Sequence, residues 1–140
     1  MKTLNFAISD ILESIYASTA VMYLGARDND RPPVIMHRDH AAALSRVIAD
    51  AASAVSAAMI GRGVIDSSCD PDGGTVTFTI DDMADASRLR HVIANAIRLM
   101  TLHIVYSAAG ITDGFLSIAQ TCMSVDARHY RPATLTRHDC

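Results

Sequence analysis

His37 and His40 are spaced H-x-x-H with Asp39 between them, the residue types and separation from which two metal ligands could meet at the start of a helix. A zinc or manganese site needs a third or fourth ligand, and the chain nominates none; solvated histidines around a helix start are the competing reading. His91 and His103 fall on one helical segment about 120° apart around its axis, so they do not share an ion. His129, His138, Asp139 and Cys140 are also metal-capable, but they lie in a segment without periodicity, where bringing them together would cost ordering entropy. No GxSxG elbow occurs, and no cysteine stands in a nucleophile context.

The "GRG" at residues 61–63 raises the question of a phosphate loop. Such a loop precedes a helix, so that free N–H groups point at the anion; here the glycines follow a helix and precede a strand. Asp81, Asp82 and Asp85 crowd a strand-to-helix junction, where capping and the helix dipole both favour carboxylates. Arg88, Arg90 and Arg98, extended by Arg128, Arg131 and Arg137, read either as a basic strip for a partner or nucleic-acid backbone, or as scattered solvated charge.

The elements that must position these residues are mostly helical. The 140 residues suit a single domain, and half of them are apolar while only 5% are aromatic, with no Trp. An interior of Ala, Val, Ile, Leu and Met favours closely packed helices. A net charge of -3 argues against a protein that grips nucleic acid over its whole surface. Three cysteines without paired spacing signal neither a disulfide framework nor a cysteine zinc site. The N-terminus is a poor signal peptide, and no run approaches the roughly 18 apolar residues of a membrane span.

Apolar residues at three-and-four spacing from Leu4 through Ile8, Ile11, Leu12 and Ile15 to Tyr23 predict a first helix ending near Leu24. Residues 26–38, with Pro32 and Pro33 adjacent, cannot continue it. A second, alanine-rich helix runs from about His40, capped by Asp39, to Ile60, closed by Gly61 in a left-handed conformation. "VIDSSC", "PDGG" and "TVTFTID" then read as strand, turn and strand, a hairpin at 64–81. A third helix spans about Ala84 to Ala109, capped by Asp82 or Asp85, with two apolar stripes that place it at the centre of a bundle or against a neighbouring subunit. A fourth starts at Thr112 or Asp113 and fades near Arg128. The expected fold is a single domain over 1–127, a bundle of about four helices with a β-hairpin between the second and third, followed by a tail at 128–140 that docks on a neighbouring subunit.

With these elements placed, "VIADAASAVSAAMIGRGVIDSSCDPDGGTVTFTIDD" (residues 47–82) resembles the small head-to-tail connector, or adaptor, proteins of tailed bacteriophages. Their pattern is an amphipathic helix, an apolar residue, a "GR" pair, an apolar residue and a short Thr-rich strand ending in acid. Here those positions are Ile48 to Ile60, Gly61 and Arg62, Val64 and Ile65, and Thr75 to Asp82. The two long helices after the hairpin are more than that pattern requires. The resemblance implies a non-enzymatic virion structural protein, assembled in the bacterial host cytoplasm, with no cofactor, no metal and no membrane. It implies a homo-oligomeric ring that joins portal and tail proteins around a DNA passage, with non-specific contact to DNA backbone. The expected partner contacts are Arg62, Val76, Phe78, Tyr130 and Arg131. Two readings compete: a small metal-dependent protein using His37 and His40, and a helical adaptor that dimerises through its alanine-rich second helix.

Overall fold

Val76, Phe78 and Ile80 alternate with threonines, and this strand is both the second arm of a hairpin and the middle strand of a sheet. The computed structural model describes residues 1–25, 40–70, 73–108, 110 and 114–127. Its elements, in order, are β1 (Lys2–Ala7), α1 (Ile8–Gly25), α2 (Ala41–Met59), β2 (Val64–Asp70), β3 (Thr75–Ile80), α3 (Ala86–Ala108) and α4 (Phe115–Ala127). The three strands form one antiparallel sheet in the order β1-β3-β2. The expected hairpin between the second and third helices is there, with a third strand added from the N-terminus.

β1 corrects the expectation of a helix from Leu4. Leu4, Phe6 and Ile8 are buried and alternate with Thr3, Asn5 and Ala7, a period of two that the spacing of Leu4, Ile8 and Ile11 hides inside a helical pattern. What decides between the periods is remote in sequence: Leu4 pairs with Phe78 and Phe6 with Val76. The Phe6 and Phe78 rings meet edge to face, with centroids 5.7 Å apart. The Ile8 N–H donates to the Gly74 carbonyl at 2.8 Å, so α1 starts where the sheet register ends.

One face of the sheet packs on the helices. Thr3, Asn5, Asp66, Ser68, Thr77 and Thr79 make the other, polar face, where the Thr77 hydroxyl donates to Asn5 Oδ1 at 2.9 Å. α2 turns Leu44, Ile48, Ala51, Ala52, Val55 and Met59 inward, and its small residues let α3 approach closely. By length and mean hydropathy (1.3) α2 could cross a membrane, but this inner side belongs to the core and Arg46 and Asp50 are exposed on the other. Both stripes of α3 are covered in large part within the chain, with Val92, Met100, Ile104 and Val105 half-buried. Leu89, Ile93, Ala96 and Ile97 join the core, while Leu99, Leu102 and Tyr106 are buried with Ala119 and Met123 of α4 packed on α3.

The caps sort the three aspartates. Asp85 caps α3, its Oδ1 accepting the Arg88 N–H at 3.2 Å; Asp81 Oδ1 accepts the Met83 N–H at 3.0 Å; Asp82 pairs with the Met1 amino group at 2.7 Å. α2 closes as expected, with Gly61 at φ +80° and the Arg62 N–H on the Met59 carbonyl at 2.9 Å. The expected caps Asp39, Thr112 and Asp113, and the tail at 128–140, lie outside the described residues.

Phe78→Ala is expected to cost about 3–5 kcal/mol, because the fully buried ring leaves a cavity between sheet and helices. Asp85→Ala is expected to cost about 1 kcal/mol, the loss of one cap. Equilibrium urea unfolding of the two variants measures both; equal costs would contradict this hierarchy.

Candidate assembly surfaces

Five residues carried the expected partner contacts, and the structure divides them. Val76 and Phe78 are 1% and 0% exposed, so they hold the sheet to the helices and do not face a partner: the alternation that marks a strand marks its buried side first. Arg62 is exposed. Tyr130 and Arg131 lie outside the described residues, as does His37.

Arg62 sits in a turn that two left-handed glycines allow, Gly61 at φ +80° and Gly63 at φ +110°. The Asp81 N–H donates to the Gly63 carbonyl at 3.0 Å, which sets this turn beside the segment leading into α3. Since Lys2 pairs with Ile80 and its ammonium reaches the Ala84 carbonyl at 3.4 Å, the start of β1 is at the same end of the sheet. Four large apolar side chains are exposed there: Met1, Ile60, Ile65 and Met83, the last at 63%. The turn follows the C-terminal end of α2, whose partial charge is negative, so it is not an anion cradle. Arg62 and Asp82 add exposed charges at the same end.

A second apolar surface lies along α3. Val21 and Leu24 on α1 are 68% and 82% exposed, and Ile118 on α4 is exposed as well. Beside them is an open groove of about 380 Å³ lined by Ala17, Ser18, Val21, Met22, Leu102 and Phe115. Arg98 crosses its rim, donating to Ser18 Oγ at 3.1 Å and Asn95 Oδ1 at 2.6 Å. Met83 precedes α3 and Leu102 lies in its fifth turn, so about 25 Å of helix separates the two surfaces.

Two arginines of the expected basic strip, Arg90 and Arg98, are spent on the fold. Arg90 lies over the Phe6 ring, 5.4 Å from its centroid, and donates to the Asn5 carbonyl at 3.1 Å. It closes a cleft of about 160 Å³ in which Asp10 and Ser14 face the outer edge of β1; the Ser14 hydroxyl donates to the Ile11 carbonyl, so no nucleophile–base pair forms there. Arg128, Arg131 and Arg137 lie outside the described residues. His40 and His91 are exposed and His103 half-buried; among the described residues no group of three His, Cys, Asp or Glu side chains could hold a metal.

Sequence reading missed Ile60, Met83, Val21 and Leu24 as surface residues. The available signal was negative: Ile60 and Met83 fall outside both the helical and the strand periodicities of their neighbours. Comparison with protein-family models, with curated proteins and with solved structures finds no match to the chain.

Cys69, half-buried on β2 opposite Val76, has its thiol pKa raised, first by burial and then by the neighbouring Asp70 carboxylate. Its thiolate fraction at pH 8 is therefore smaller than in the unfolded chain. Alkylation by iodoacetamide, followed by mass spectrometry, is expected to be several-fold slower at Cys69 in the native protein than in urea. As the pH rises past the ordinary thiol range the unfolded chain loses this proton first, so stability falls.

Proposed function

We propose that this chain is a non-enzymatic structural subunit of a phage or prophage particle, a head-to-tail connector or neck ring component that joins portal to tail and lines the DNA passage. The observation that carries the reading is the pair of unlike apolar surfaces at the two ends of α3, one around Met83 and Ile60, the other around Val21 and Leu24. Two different patches on one small chain suit heterologous, head-to-tail contact between copies, which closes into a ring when the rotation per copy closes. An exposed Arg62 on a rigid turn adds a planar donor for an aspartate of the next copy. The "GR" turn between an amphipathic helix and a Thr-rich strand is the feature that directs the reading to connectors among ring proteins. A net charge of -3 suits a conduit that DNA passes through rather than one that grips it.

Native mass by light scattering over a range of concentrations tests the ring, and Met83→Asp and Val21→Asp test its geometry. Each variant alone is expected to lose assembly by at least about tenfold in concentration. Mixed together, they are expected to form a heterodimer that stops there, because one intact patch of each kind remains. A symmetric dimer unaffected by either change supports the adaptor reading through α2, and a monomer at every concentration that is also missing from purified particles overturns the proposal.

A further inference from the structure

Among the described residues, β2 hydrogen-bonds to a neighbouring strand on one side only, and its register shows which groups face out. The bond from the Ile8 N–H to the Gly74 carbonyl makes the pairs Phe6–Val76, Leu4–Phe78 and Lys2–Ile80 the hydrogen-bonded ones between β1 and β3. The backbone groups of Thr75, Thr77 and Thr79 therefore turn to β2, where they meet Asp70, Ser68 and Asp66. This leaves Ser67 and Cys69 with their N–H and C=O groups on the outer edge of β2. The other edge, β1, is attended by α3, with Arg90 on the Asn5 carbonyl.

The outer edge of β2 carries a local guard. Asp66 Oδ1 accepts the Ser67 N–H at 2.8 Å, an outward-facing donor occupied by its own neighbour. Such a carboxylate blunts an edge against casual pairing. It also sets a charge preference. β2 has Asp66 and Asp70 and no basic residue, so a second β2 would bring carboxylates against carboxylates, while a basic strand would be attracted.

We propose that residues 133–138 of a second copy add to the outer edge of β2 as a fourth strand; the inference rests on the ring reading above. Residues 128–140 contain Arg128, Arg131 and Arg137 against one acid, Asp139, the complement of the β2 edge. Thr134-Leu135-Thr136 repeats the alternation of Thr75–Ile80, with one apolar side chain to turn toward the helices. An arriving arginine takes the Asp66 carboxylate, and the Ser67 N–H is released to the new strand.

The geometry assigns the strand to another copy. α4 packs on α3, α3 on α2 and α2 on β2. Each helix-to-helix step is about 8–10 Å. Residues 128–132 span at most about 17 Å when extended, less than three such layers crossed in line. A neighbouring copy has no such restriction.

The test uses the full-length chain with Cys140→Ser, bearing either Ser68→Cys or, in a copy of different mass, Thr134→Cys or Thr136→Cys. Mixed and oxidised, the two are expected to give an intermolecular disulfide in up to about half of the molecules, the share that a random mixture places in productive order in a head-to-tail ring, reduced severalfold in 1 M salt. Ser67→Pro, which removes an outward N–H and keeps the bonds to β3, is expected to abolish it while native circular dichroism is retained. In a third variant carrying both Ser68→Cys and Thr134→Cys, diluted among unsubstituted copies, a crosslink formed only within the chain overturns the assignment to a second copy. A ring of unchanged mass without any crosslink overturns the inference and leaves the proposed function standing; a monomer without crosslink also overturns the inference, and its absence from purified particles then overturns the proposed function as well.

Discussion

Everything in this molecule hangs on β3 being hydrogen-bonded on both sides. Its even-numbered residues pair with the N-terminal strand and its odd-numbered ones with β2, and the same even residues, Val76, Phe78 and Ile80, are the ones that turn into the helices. One strand thus fixes the sheet register, the depth at which Phe6 and Phe78 meet, and the point where α1 begins, through the bond from Ile8 to Gly74. A slip by one residue would turn three threonines into the core and expose the apolar set, so the register is strongly specified.

The helices follow from a different constraint, the scarcity of large side chains. With no Trp and few aromatics, a well-filled interior requires backbones to come close. Ala51, Ala52 and Ala96 allow this between α2 and α3, and α3 in turn carries α4 on its second stripe. Two hydroxyls that enter this interior are satisfied locally: Thr19 and Thr101, both fully buried, donate back to the carbonyls of Ile15 and Ile97 one turn earlier.

Periodicity made α2, α3 and the β2–β3 pair legible, and Gly61 and Asp85 were readable as stop and start because their chemistry is local. The N-terminal strand was not, since Leu4 and Ile8 satisfy a helical and an extended period alike and the arbiter, β3, lies seventy residues away. The site was less legible than the fold. Alternation found Val76 and Phe78 because they are apolar and regular, which is the signature of core. The exposed apolar residues Ile60, Met83, Val21 and Leu24 announce themselves only by failing to fit a pattern, and exposure is not encoded in residue type. Arg90 and Arg98 show the converse, charges whose partners come from other elements.

The position of β1 has a consequence for the order in which the chain can fold. Lys2 pairs with Ile80, so the first strand leaves the ribosome with nothing to pair with until β3 has followed it. At about 5–20 residues per second that interval is several seconds. During it the alternating segment Leu4, Phe6, Ile8 is an unpaired apolar strand, and α2, with its hydropathy near that of a membrane span, is already out. The non-local pairing slows folding relative to a plain helical bundle of this size. Nascent chains of this protein are therefore expected clients of ribosome-associated chaperones, and crowding many copies on one message would favour intermolecular pairing of β1 before β3 arrives.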